Sequence, residues 1–420
     1  MPHLFEFNPT RHALASLAVA AALIVGAGCG GKATQQEQAK VQWNAARGQV
    51  LQQLAEEQFA AGQLDEARDT CNQAMTVTDQ LPGLFLLSAR IDIERNDLTR
   101  ASAALGAARS LNPVPQVLAQ VEHVAGVIAE RWEKTEEAVQ HHGRSTRLDP
   151  NEPAYLIAHA EALVSAGRAE EAAVALQARV AHFEGDAAVR DALGQVLQAL
   201  GDHETAAEMF RQASIFAPDD NAVRERLAFA TMQAGDLVRA SILFEKLLKN
   251  PDLDGSVSLR VAAGECRLAR GEHDKAIDAF QQAARLDDRH VPAWLGVAKA
   301  SMDAGEHRRA RLALDRARRI APRDAEVRML DGYLLMEEGQ LTAAAAAFGE
   351  AAALKPNDAT AHALHGHCLA KLGRFDAASA AFDAAERVSP NDDLVSELRL
   401  RADYLQQQAF AETDGRPIAN

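Results

Sequence analysis

The amino-acid sequence predicts an all-α fold, a solenoid of helical hairpins, because three small or helix-breaking residues recur at a fixed spacing. An alanine returns at a nearly constant interval along most of the 420-residue chain. A glycine stands five positions before most of these alanines, and a proline stands a dozen positions after many of them. A hairpin of this size cannot bury its apolar face alone, so neighbouring hairpins must stack on it.

Ten alanines share this register, and seven of the nine gaps between them are identical. Four positions after each alanine comes a packing residue, which is leucine or phenylalanine in eight units and Cys71 or His142 in the other two. Small and large residues at this spacing predict two helices in close contact. The alanines are Ala67, Ala101, Ala138, Ala172, Ala206, Ala240, Ala276, Ala310, Ala344 and Ala378.

The turn inside each hairpin is predicted from glycine, which adopts positive φ values freely. The second and third units have Asn96 and Glu133 at this place instead. The closing proline cannot continue a helix, and an Asp or Asn after it can cap the next one.

These signals divide the chain into a ten-hairpin array over residues 48–392, a capping helix over residues 393–410 and a flexible tail over residues 411–420. Two linkers are longer than the others, at residues 112–118 and 250–256, and we expect them to change the rotation between hairpins. The predicted hairpin starts are Gly48, Pro82, Ala119, Pro153, Ala187, Asn221, Val257, Val291, Ala325 and Ala359.

The recurring pattern resembles the tetratricopeptide repeat (TPR), with Trp294 at the tryptophan position of one unit and Leu193-Gly194 at the leucine–glycine position of another. The resemblance implies a TPR helical-hairpin solenoid that winds into a right-handed superhelix. It further implies a concave groove that is lined by the first helix of each hairpin and takes peptides.

Residues 1–28 are predicted to be a signal peptide. Residues 13–25 are apolar except for Ser16, which is long enough for an export signal and short for a membrane span. Small residues directly before Cys29 resemble the lipobox of bacterial lipoproteins, which implies cleavage before Cys29 and acylation of it, palmitate included. Residues 29–47 are then the lipidated N-terminus and a tether. Gly30 after the cysteine implies the outer membrane, facing the periplasm. An ordinary cleaved signal or an uncleaved anchor is the alternative.

The sequence contains no signature of an enzyme, since it lacks G-x-S-x-G, a P-loop, H-E-x-x-H and C-x-x-C. We therefore expect neither catalysis nor a cofactor. The net charge of −15 repels phosphate backbones, so no nucleic-acid partner is expected. Cys71, Cys266 and Cys368 are expected to be buried and unpaired.

A histidine–cysteine cluster in the last hairpin raises the alternative of a metal site. His362, His365, His367 and Cys368 are zinc-ligating residue types at close spacing. The repeat register places His362 and His365 at packing positions and turns His367 toward the groove. Packing is the preferred interpretation, and metal binding remains open.

The register also predicts a peptide-binding groove on the first helices, with methionines and an aromatic residue that form an adaptable apolar surface. The alternative is that some of these side chains only pack between helices. The predicted groove residues are Phe229, Met232, Leu295, Lys299, Met302, Met329, Tyr333, Met336 and His367.

The resulting hypothesis is a non-catalytic scaffold: a lipid-anchored periplasmic lipoprotein that holds protein or peptide partners and supports assembly of a cell-envelope complex. The alternative is an accessory subunit that recruits or modulates a cell-wall hydrolase or a glycosyltransferase. Metal binding at the histidine–cysteine cluster is a third possibility.

Overall fold

A computed structural model of the protein describes residues 32–414, and this part of the chain contains 21 helices and no strand. The predicted all-α hairpin fold is therefore confirmed. The predicted signal peptide, Cys29 and residues 415–420 lie outside the described residues. The helices are α1 (Lys32–Ala60), α2 (Leu64–Val77), α3 (Pro82–Glu94), α4 (Leu98–Ser110), α5 (Pro115–Arg131), α6 (Thr135–Leu148), α7 (Pro153–Ser165), α8 (Ala169–Gln177), α9 (Ala187–Ala199), α10 (His203–Phe216), α11 (Asn221–Gln233), α12 (Leu237–Leu247), α13 (Val257–Ala269), α14 (His273–Leu286), α15 (Val291–Asp303), α16 (His307–Ile320), α17 (Ala325–Glu337), α18 (Leu341–Leu354), α19 (Ala359–Lys371), α20 (Phe375–Val388) and α21 (Asp393–Asp414).

The chain divides into two compact units, Met1–Pro150 and Asn151–Asn420. In the first unit, the described residues form three hairpins, α1–α6. In the second, they form seven hairpins, α7–α20, followed by α21, which packs on α19 and α20. The helices of each hairpin contact each other, and each hairpin contacts the next one in its unit.

Eight of the ten hairpins begin at the predicted residue, and the two exceptions lie early in the chain. Helix α1 begins at Lys32 rather than Gly48, so the described part of the predicted tether is helical. Helix α5 begins at Pro115 rather than Ala119, because the fixed φ of proline suits the first position of a helix. Helix α21 continues to Asp414, into the predicted tail.

The contact between the two helices of a hairpin depends on small residues facing large ones. Each of the ten register alanines is at most 2% exposed, which lets the helix backbones come close. In the α17–α18 hairpin, Gly332 faces the ring of Phe348, and a Cβ atom on this glycine would lie 2.6 Å from the ring. Real Cβ contacts are essentially never that short, so the position accepts only glycine without movement of the ring.

The third hairpin makes the same contact with a histidine. His142 replaces the large apolar residue and is completely buried against Gly126. Its Nε2 atom lies 3.1 Å from Oε1 of Glu130, and its ring centroid lies 5.1 Å from that of His123. The hydrogen bond satisfies one ring nitrogen, while Nδ1 is buried without a hydrogen-bond partner.

The turns between paired helices use the left-handed backbone region. Eight turn glycines have φ between 73° and 84°, and Asn96 and Glu133 replace them at φ values of 60° and 58°. Asparagine tolerates this region better than glutamate does, so Glu133 is the strained member of the set.

Aspartates after the closing prolines cap the helices that follow, as the sequence predicts. Asp220 accepts hydrogen bonds from two backbone amides at the start of α11, and Asp324 does the same for α17. Asp358 caps α19 through the amide of Ala361. Each cap satisfies amides that have no partner inside the helix.

We predict opposite effects for the same substitution at two glycines of the first unit. Gly126→Ala places a methyl group 2.4 Å from the His142 ring, so it should lower the free energy of unfolding by about 1–3 kcal/mol. The matched control is Gly106→Ala on α4, where no atom lies within 4 Å, and it should raise stability by about 0.5–1 kcal/mol. Urea denaturation followed by circular dichroism measures both, and equal effects would contradict the assigned contact.

We also predict that Glu133→Gly stabilises the third hairpin by about 1 kcal/mol, because glycine has no Cβ atom to strain the left-handed turn. Asn96→Gly, at the equivalent turn of the second hairpin, should increase stability by a smaller amount. Hydrogen exchange of the α5 and α6 amides provides the measurement. A loss of protection in the Glu133→Gly protein would rule out strain at this turn.

Candidate peptide-binding surface

Side-chain ion pairs join the first helices of neighbouring hairpins at two places in the second unit. Arg226 on α11 pairs with Asp191 on α9 at 2.7 Å, and Lys299 on α15 pairs with Glu326 on α17 at 2.6 Å. Residues at equivalent positions of neighbouring hairpins are therefore close enough to act together.

The nine predicted groove residues differ in exposure. Leu295 is 4% exposed and His367 is 8% exposed, so these two belong to the interior. The other seven are half-buried, with part of each side chain open to solvent: Phe229, Met232, Lys299, Met302, Met329, Tyr333 and Met336.

Four of these residues lie close together on α15 and α17, and we call Met302, Met329, Tyr333 and Met336 the methionine strip. Met302 and Tyr333 pack against the core around α14–α16, while Met329, Tyr333 and Met336 pack against the next core. Tyr333 belongs to both cores, and its ring meets the ring of Phe348 edge-on at 5.4 Å. The strip therefore has a packed side and an open side.

Phe229 and Met232 lie elsewhere, on α11, two hairpins before α15. They pack against the core that includes Phe244, whose ring meets Phe229 edge-on at 5.1 Å. The structure does not bring them together with the methionine strip.

Acidic residues surround the methionine strip. Asp303, Glu326 and Glu337 are exposed on the same two helices, next to or one turn from the methionines. On α13, burial raises the pKa of Glu265, and Glu326 raises it further while Lys299 opposes the shift.

Lys299 is one of the predicted groove residues, and its ion pair with Glu326 compensates its charge. Glu326 was missed at the level of the sequence. Glu326 lies at the start of α17, the first helix of the next hairpin, and this position within reach of Lys299 indicates an ion pair.

His367 is buried and does not face the groove, contrary to the prediction from the repeat register. It lies on α19, which the terminal helix α21 covers, and its Nδ1 atom is buried without a hydrogen-bond partner. Burial lowers the pKa of His367, and the positive charges of Lys371 and Arg401 lower it further. The imidazole is therefore held neutral in the interior.

The histidine–cysteine cluster has no metal-binding geometry. His362 places Nε2 at 3.1 Å from the carbonyl oxygen of Pro356, His365 lies against Gly349 on α18, and Cys368 is completely buried. Across the described residues, no three histidine, cysteine or acidic side chains are grouped to hold a metal ion.

The cysteines of the described region are unreactive core residues, as expected. Cys71, Cys266 and Cys368 are free and completely buried. Burial raises the pKa of each thiol to about 11, so each stays protonated at neutral pH.

Comparison with known families identifies the repeats. Models described as tetratricopeptide repeat match residues 192–255, 267–331 and 335–402. This chain is a TPR protein. TPR proteins are protein-interaction scaffolds whose domains bind protein or peptide partners. No protein with a curated description matches the sequence, and nothing shows an enzymatic activity.

Solved structures are similar to parts of this chain. The C-terminal part of a TPR repeat-containing protein from Cytophaga hutchinsonii is 17% identical, with 58% of this chain and 98% of that chain covered and a TM-score of 0.50. PilF of Pseudomonas aeruginosa is 15% identical over 51% of this chain and 97% of its own, at a TM-score of 0.43. YrrB, described as a TPR protein with an unusual peptide-binding site, is 22% identical. The match covers 46% of this chain and 98% of YrrB, with a TM-score of 0.36.

No helix within residues 32–414 combines the length and the apolar character needed to cross a membrane.

Proposed function

We propose that this TPR protein is a lipid-anchored scaffold of the bacterial cell envelope. In this function it holds a segment of a partner protein on the methionine strip and so supports assembly of an envelope complex. The proposed anchor is Cys29, and the proposed site is the outer membrane, facing the periplasm.

The observation that carries the binding function is the half-burial of the methionine strip. Met302, Met329 and Met336 are unbranched and polarisable, so their open sides can adapt to more than one apolar partner surface. Tyr333 adds a rigid aromatic ring, which is enriched at interfaces because it offers a large contact area at little cost in conformational entropy. Contacts of the same side chains with the two cores hold the strip in place before a partner arrives.

The charges around the strip favour a partner segment with basic residues. Asp303 and Glu337 are exposed beside the methionines, while Lys299, one helical turn before Met302, and Glu326 compensate each other's charge in an ion pair. A segment that combines an apolar anchor with lysine or arginine would complement both features. A segment that ends in a free carboxylate would meet like charge.

We predict that Met329→Ala combined with Tyr333→Ala weakens binding of the partner by at least ~2 kcal/mol, about 30-fold in Kd, because interface anchors lose this much on truncation. Crosslinking on intact membranes identifies the partner, and titration with the purified partner measures the loss. Tyr333 also packs on Phe348, so a melting curve must show that the variant is folded at the assay temperature.

Leu312→Ala is the matched control, because Leu312 is 61% exposed on α16, in the same hairpin as α15, and is not part of the strip. It should leave partner binding unchanged. Unchanged capture by the folded double variant would refute the strip as the binding site.

The anchor gives a separate prediction. The N-terminal peptide of protein from the membrane fraction should begin at Cys29 and carry the mass of acyl chains, and Cys29→Ser should move the protein to the soluble fraction. More than one acyl chain is needed for stable anchoring, since each buried methylene contributes ~0.8 kcal/mol. An unmodified Cys29 in membrane-bound protein would refute the lipid anchor and leave the strip untouched.

A further inference from the structure

Helix α1 carries an exposed apolar stripe that no other described part of its unit covers. Trp43 is 70% exposed, Val50 is 68% exposed and Leu54 is 44% exposed. Their spacings of seven and four positions place them on one side of the helix. Lys40 and Arg47 are exposed on the same side. We call these five residues the head face.

Helix α21, the last helix, carries a second exposed stripe. Leu400 is 70% exposed and Tyr404 is 55% exposed, one helical turn apart. They point away from the buried side of the helix, which consists of Val395, Leu398 and Ala402. Exposed acidic residues surround them, and the complete tail face is Asp393, Glu397, Leu400, Asp403 and Tyr404.

Both faces are more apolar than is usual for the outer surface of a terminal repeat. Terminal repeats have no neighbour on one side, so a polar outer surface is required to keep the array soluble. Among the described helices, the first presents a tryptophan to solvent, and the last presents a leucine and a tyrosine. Large exposed apolar side chains grouped on one helix face indicate an interaction surface.

We propose that the head face of one copy of this protein packs on the tail face of another copy. The two faces are complementary in kind, because each offers large apolar side chains between charged ones. They are also opposite in sign: Lys40 and Arg47 give the head face +2, which exposed Glu57 on the same side of α1 reduces to +1, whereas Asp393, Glu397 and Asp403 give the tail face −3. Arg401 pairs with Glu397 and reduces this difference without reversing it.

The charges select head-to-tail contact over the two symmetric alternatives. Pairing of two head faces would bring four cations together, and pairing of two tail faces would bring six acids together. Since the two surfaces differ, the contact is heterologous, and every added copy leaves one head and one tail free. A contact between two helices is small, so the association is reversible and depends on protein concentration.

Sedimentation velocity of the full chain tests the proposal, with Cys29→Ser in every sample so that acyl chains do not contribute. The average mass of the reference chain should rise over a hundredfold range of concentration. Trp43→Glu in the head face and Leu400→Glu in the tail face should each give a monomer. Both residues are mostly exposed, so neither change disturbs a core.

Mixing the two variants gives the decisive measurement. The Trp43→Glu chain keeps an intact tail, and the Leu400→Glu chain keeps an intact head, so an equimolar mixture should form a dimer and nothing larger. Val238→Glu, at a 55% exposed site on α12, is the matched control and should associate like the reference chain.

Reversal of charge provides a second arm. Arg47→Glu should raise the Kd of association about tenfold. Adding Glu397→Arg to the same chain should restore the Kd, because the acid then lies on the head face and the base on the tail face.

Three outcomes would overturn the proposal. The first is a mixture that remains monomeric. The second is association that survives both single variants. The third is association that is lost in the Trp43→Glu chain alone while the Leu400→Glu chain behaves like the reference, which would assign the self-association to pairing of two head faces.

Discussion

The close approach of two helices within each hairpin is the contact on which the rest of the structure depends. Ten buried alanines allow it, and glycine at positions such as Gly332 lets a phenylalanine ring lie directly against the facing helix. No hairpin contains enough apolar surface to be stable alone, so each gains stability from its neighbours. The third hairpin shows that geometry matters more than chemistry here, because a hydrogen-bonded histidine fills the same space as a ring.

Sequence periodicity predicts the interior of the array well and its beginning poorly, and the reasons are local. Within the array, proline, glycine and aspartate mark most boundaries by fixing backbone angles or capping amides. Residues 32–47 lack glycine and proline and are rich in alanine and glutamine, which favour helix. Their polarity predicts a tether, whereas helix propensity and continuity with the next residues decide the outcome. At Pro115, a proline that fits the first position of a helix extends α5 by one turn beyond the repeat register.

The repeat register predicts which first-helix positions stay partly open, but it does not predict the contacts that neighbouring elements make with them. The register alone places Met302, Met329, Tyr333 and Met336 on the first helices, and the structure has them half-buried there. The burial of His367 depends on α21, an element outside the repeat pattern. The neutralisation of Lys299 depends on a glutamate of the next hairpin. Position within a repeat indicates which way a side chain points, but its neighbours along the array determine its charge and exposure.

The described helices present two kinds of surface, which differ in whether a neighbouring hairpin packs beside them. Inside the second unit, Tyr333 packs against two cores, so its neighbours along the array fix its position while part of the side chain stays open to solvent. At α1 and α21 the neighbour is missing among the described helices, and the side chains that would meet it remain exposed. The first surface lies on α15 and α17 and the second on the two terminal helices, so no residue belongs to both. The proposed partner binding and the proposed self-association therefore make no competing demands on any side chain, and a point substitution should remove one and leave the other.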